Sequence, residues 1–164
     1  MNRKLIIQDG KINFSCHREC CEHSCCGPFA GIASTIESID NRPFEEIVLT
    51  NEDYLELYKH GRSDLIEEGY SKETGKKYYK MALEPDGTCK AFKDGKCSIH
   101  GFNPTLCKAF PFYFDMFSGL CAICCEGFSE AYWTDFDEYA PYIEAARKMY
   151  EYWFDFYSGK KENT

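Results

Sequence analysis

The chain has 164 residues, 27 acidic against 19 basic side chains for a formal charge of -8, and 11 cysteines among 13 Phe, 12 Tyr and 2 Trp. A chain of this length buries roughly two thirds of the surface its unfolded form exposes, so one hydrophobic core forms without covalent staples. The acidic balance and the lack of a long Lys/Arg stripe argue against a nucleic-acid partner, and the apolar run LII at 5–7 is too short for a signal peptide or a membrane span, which leads us to expect a cytoplasmic protein.

In chain order, 4–8 and 11–15 are β-type runs on either side of Asp9-Gly10, a dipeptide that accepts positive φ at both centres of a type I′ turn. A hairpin therefore leads into Cys16. The cysteine-rich segment 16–27 follows, and the stretch up to Pro43 has no strong period. EEIVLT at 45–50 reads as a strand, and Thr50 with Asp53 three residues on predicts a capping box ahead of the helix NEDYLELYKH, which ends at Gly61. Residues 65–68 read as one further helical turn. YYKMAL at 78–83, TCKAF at 88–92 and KCSI at 96–99 are strand-like runs joined by turns at Pro85-Asp86-Gly87 and Asp94-Gly95. FYFDMF at 112–117 and LCAIC at 120–124 meet at Ser118-Gly119.

The clearest helix is C-terminal, within 134–157, with Tyr142, Ile143, Ala146, Met149, Tyr150, Trp153, Phe154 and Tyr157 at helical spacing and Pro141 in its first turn. We read its aromatic face as core packing against the sheet, the alternative being a face that docks a protein partner. No repeat or boundary divides the chain. Residues 1–164 read as a single α+β domain of short antiparallel strands and two or three helices around a cysteine-ligated metal centre.

An odd number of cysteines cannot all pair within one chain, and in a reducing compartment clustered thiols point to metal, an iron-sulfur cluster or redox chemistry. They fall into three groups: Cys16, Cys20, Cys21, Cys25 and Cys26; Cys89, Cys97 and Cys107; Cys121, Cys124 and Cys125. A tetrahedral thiolate site takes some ligands from one short spacing and the others from distant segments, so the fold must bring these groups together. Were 16–26 helical, Cys16 and Cys20 would share one face, and Cys21 and Cys25 a second, turned by about 140°. That segment is therefore either irregular around one centre or divided between two sites. Eight thiolates holding two divalent ions would move the formal charge from -8 to about -12, which requires N–H donors around the sulfurs. His17, His23 and His100 neighbour cysteines and are weaker ligand candidates, and His60 reads as a favourable charge at a helix end.

The order of Phe14 and the first cysteine cluster, then IVLTNED at 47–53, then CKAFKDGKCSIHGFNPTLCKAFPF at 89–112, resembles the YkgJ-type cysteine-cluster family, a zinc- or iron-chelating domain named for a CxxCxxCC motif and related to a module of flagellin lysine N-methylases. The resemblance covers about 14–127, the cysteine-cluster metal-binding core. Its most specific part runs from Cys97 through Ile99, His100, Pro104 and Cys107 to Phe110-Pro111-Phe112. The chain departs from the family in its first cluster, spaced C-x3-C-C-x3-C-C, and in Asn103 and Lys108, where the family has arginines. Position by position, the resemblance implies metal ligands among Cys16, Cys20, Cys21, Cys25, Cys26, Cys89, Cys97, Cys107 and Cys125, the last in preference to Cys121. The expected cofactor is zinc or iron, with an iron-sulfur cluster as a variant.

Two other functions compete. An iron-sulfur or non-haem iron redox protein has the thiols it needs, although the runs match neither ferredoxin spacing. A role in protein N-methylation follows only from the methylase relationship, and the chain carries no G-x-G-x-x-G loop for a nucleotide-like cofactor. Phe14, Phe110 and Phe112 read equally as shields of the centre and as ordinary core.

Overall fold

The computed structural model describes residues 3–15, 46–122 and 133–159. Asp9 and Gly10 both have positive φ, 52° and 74°, and turn the chain between strands β2 (Ile7–Gln8) and β3 (Lys11–Ile12), as their chemistry predicts. Asn13 extends that pairing by accepting the Ile6 N–H on Oδ1 at 2.8 Å, which satisfies a buried amide side chain. Strand β1 (Arg3–Lys4) pairs instead with β10 (Gly119–Ala122), itself paired with β9 (Phe112–Asp115). The third strand beside β3 is β11 (Thr134–Asp135).

The strand expected over 45–50 is confined to β4 (Val48–Leu49), which joins β6 (Lys77–Met81) and β5 (Ile66–Tyr70) in the order β4-β6-β5. Residues 66–70 correct an expectation. After a 3-10 turn at Ser63–Leu65 they form a strand rather than continuing as a helix. The partner is non-local: all five residues pair with β6, and at Gly69 the Tyr78 ring lies so close that an added Cβ would meet it at 2.3 Å. β7 (Phe92–Lys93) and β8 (Lys96–Cys97) form a separate hairpin through Asp94 and Gly95, whose φ values are 51° and 74°. All strand pairs are antiparallel, and with three α-helices the described chain is the expected α+β domain.

Helix α1 (Asn51–Lys59) starts from the predicted capping box. Thr50 Oγ1 accepts the Asp53 N–H at 3.2 Å while Asp53 Oδ2 accepts the Thr50 N–H at 3.0 Å. Helix α2 (Thr105–Ala109) was not expected, because five residues after a proline carry too little periodicity to read. Helix α3 spans Ala140–Ser158, with Pro141 in its first turn and Gly159 closing it at φ 72°. It therefore begins later than residue 134, since β11 and a 3-10 turn at Phe136–Glu138 come first.

Two hydrophobic clusters hold these elements together. The first gathers Ile47, Leu49, Leu57, Leu65, Met81, Cys89, Ala91 and Ile99, and the second contains Phe14, Phe112 and Ala122 with Ile143, Ala145 and Ala146 of α3. Phe14 and Phe112 meet edge-on at 5.0 Å, and both rings contact Tyr139. Helix α2 belongs to both clusters: Leu106 and Cys107 pack on the first, and Ala109 lies in the second. Farther along α3, Trp153 and Phe156 pack edge-on against Tyr78. Lys76 donates to the Phe156 carbonyl at 2.8 Å, so the β5–β6 hairpin seats the helix end.

Gly69→Ala should destabilise the protein by about 1–3 kcal/mol through overpacking against Tyr78, read as a lower urea midpoint. The cost should shrink in a Tyr78→Ala background, and an equal cost in both backgrounds would exclude this contact as its cause.

Candidate metal centre

Of the nine cysteines implied as ligands, Cys89, Cys97 and Cys107 are in the described part of the chain; Cys16, Cys20, Cys21, Cys25, Cys26 and Cys125 lie outside it, as do His17 and His23. Each of the three described cysteines is set by a different local device. Cys89 follows the turn at Pro85-Asp86-Gly87, where Asp86 Oδ1 accepts the Thr88 N–H at 2.9 Å and Gly87 takes φ 85°. It faces Leu83 in an antiparallel bridge and is buried. Cys97 lies on β8 opposite Phe92, held by the Asp94-Gly95 turn. Cys107 is at the middle of α2.

Cys89 is part of the first cluster, and Cys97 and Cys107 pack against that same cluster while remaining half-buried. Three elements separated in sequence thus bring thiols to one body of apolar side chains, and two of those thiols keep some access to water. Between Cys97 and Cys107 the chain is pinned repeatedly to the α1 side of the cluster. Ile99 is buried in it, Phe102 stacks on His60 at 3.9 Å, and Thr105 bonds to Asp53. His60 caps the end of α1, its Nδ1 2.8 Å from the Glu56 carbonyl, and His100 is exposed on the 3-10 turn His100–Phe102.

The donor set suits a soft or borderline ion in kind but not in number. Among the described residues no group of three His, Cys, Asp or Glu side chains is placed to hold a metal ion. A centre that uses Cys89, Cys97 or Cys107 therefore needs donors from outside the described residues. Phe14 and Ala122 lie in the second cluster and Ile47 in the first. Helix α2, with Cys107, lies between those clusters.

Cys121 has a different setting. It is buried at the centre of the β1-β10-β9 sheet, opposite Tyr113. Burial pushes its thiol up from the ordinary range, and the nearby Asp115 carboxylate adds to the effect. Tyr113 is pushed up as well, chiefly by burial, and its buried Oη has no hydrogen-bond partner among the described residues.

Sequence reasoning found Asp53 as a capping residue but missed its second role. Asp53 Oδ1 accepts both the Thr105 N–H at 2.9 Å and the Thr105 hydroxyl at 2.8 Å, which ties α1 to the start of α2. The available signal was the Thr-x-x-Asp segment together with the Pro-Thr two residues before Cys107.

No family model, no curated protein and no solved structure matches this chain. No helix among the described residues is long and apolar enough to cross a membrane.

The raised Cys121 and Tyr113 groups give a signed pH dependence. Above the ordinary thiol range the unfolded chain releases these protons while the folded chain keeps them, so stability falls as pH rises. Urea midpoints measured across alkaline pH should drop less in Cys121→Ala than in wild type. Identical slopes would remove Cys121 from the effect.

Proposed function

We propose that the protein binds zinc or iron through cysteine thiolates gathered from distant segments, in the cytoplasm and without a nucleic-acid partner. The observation that supports this reading best is the packing of Cys89, Cys97 and Cys107, from three separate elements, on one cluster. The resemblance to the YkgJ-type family points the same way and supplies the further ligand candidates Cys16, Cys20, Cys21, Cys25, Cys26 and Cys125. Cys121, buried in the sheet with a raised thiol, fits the role of a small apolar core residue.

Each of the three packed cysteines has a lysine as its chain neighbour, Lys90, Lys96 or Lys108. These positive charges offset part of the negative charge that a thiolate centre accumulates. Bound zinc would supply folding free energy, and iron would add one-electron chemistry. The protein's own part is to present the thiolates, to keep one buried and two half-buried, and to cover the centre's flank with Ile99, Leu106 and Phe102.

The test is metal and acid-labile sulfide content, with an absorption spectrum, on protein purified without oxygen and without an immobilised-metal column. Stoichiometric zinc or iron supports the reading, and a folded chain free of both overturns it. Cys107→Ser should lose metal and fall in stability by more than the roughly 0.5–3 kcal/mol of a typical replacement. Cys121→Ser should keep its metal, and equal metal content in the two variants would remove this ranking of ligands.

A further inference from the structure

Asp53 is only 8% exposed, and a carboxylate taken out of water is costly unless donors fill its lone pairs. Three donors do so here. Oδ2 accepts the Thr50 N–H, and Oδ1 accepts the N–H and the hydroxyl of Thr105, 52 residues away. The capping box of α1 uses one oxygen, and the other serves a different helix.

That helix needs it. α2 is five residues long, follows Pro104, and has no side-chain cap of its own. A single isolated turn is unstable in water, because its ordering cost exceeds the return from its few hydrogen bonds. Asp53 supplies the missing acceptor from α1, and Thr105, itself buried, is two residues before Cys107. The rotation of α2 about its axis sets the direction of the Cys107 side chain, and the Asp53–Thr105 bonds restrain that rotation at the first helical residue.

We propose that Asp53 is a positioning residue for Cys107, holding α2 so that the Cys107 sulfur is presented with Cys89 and Cys97 on the first cluster. The proposal rests on the thiolate-metal reading above. Asp53 is not a ligand in it, since both of its oxygens are engaged by protein donors, and it acts through Thr105.

Two variants separate this role from a general contribution to folding. Thr50→Ala removes the local cap of α1 and leaves the Asp53–Thr105 bonds in place, whereas Thr105→Val removes the hydroxyl donor to Asp53 and leaves the α1 cap. Two readouts apply to the full chain: zinc affinity by chelator competition, and the iodoacetamide labelling rate of Cys107 in the metal-free protein, mapped by mass spectrometry. Thr105→Val should weaken zinc binding by about 10-fold and change Cys107 labelling several-fold, the scale on which outer partners of metal ligands act. Thr50→Ala should lower the melting temperature and leave both readouts near wild type, and Thr105→Ser, which keeps the hydroxyl, should restore them. If Thr105→Val does not fold, Thr105→Ala makes the same comparison with less bulk. Equal effects of the Thr50 and Thr105 variants on both readouts would overturn the proposal. A wild-type chain that binds neither zinc nor iron would overturn the metal reading alone, because the labelling contrast still decides whether Asp53 positions Cys107.

Discussion

A single buried carboxylate joins the two parts of this domain that carry most of its recognisable sequence. Asp53 closes the capping box of α1 with one oxygen and holds Thr105 with the other. Its burial makes the arrangement stringent: with any donor missing, a charged oxygen would be left in an apolar setting, where an unfilled acceptor costs far more than one bond returns. Three bonds thus behave as one unit, which together with the Phe102–His60 stack and buried Ile99 holds the chain from β8 to α2 against α1.

The two hydrophobic clusters give the same point a structural setting. α1 and the β4-β6-β5 sheet build the first cluster, and α3 with the β1-β10-β9 sheet builds much of the second. α2 contributes to both with only five residues, its alanine at position 109 lying in the same cluster as Ala145 and Ala146 of α3, where small side chains let helices approach closely. Cys107, at the middle of α2, packs on the first cluster.

How much of this was legible in the sequence depended on how local the cause was. The turns at Asp9-Gly10 and Asp94-Gly95, the Thr50–Asp53 cap and the period of α3 rest on chemistry within a few residues, and all four are present. β5 was missed because IEEGY has neither alternation nor β-branched enrichment. It is a strand through its antiparallel pairing with β6, in which Gly69 leaves room for the Tyr78 ring opposite it. α2 was missed because five residues after a proline carry little period and the acceptor for its first N–H is 52 residues away. The candidate site followed the same rule: metal ligation would demand that the cysteines converge, and the cluster on which Cys89, Cys97 and Cys107 all pack is built by Leu49, Leu57 and Met81, which carry no mark of it in the sequence.

The seating of α3 has a consequence on the time axis of folding. No basic residue lies in the helix's own last turn, and among the described residues Lys76 brings a cation to its negative end, donating to Phe156 from 80 residues away. A contact of that separation closes a long loop, so in refolding from denaturant the last turns of α3 should order together with the β5–β6 hairpin, whose Tyr78 ring Trp153 and Phe156 pack against, rather than ahead of it.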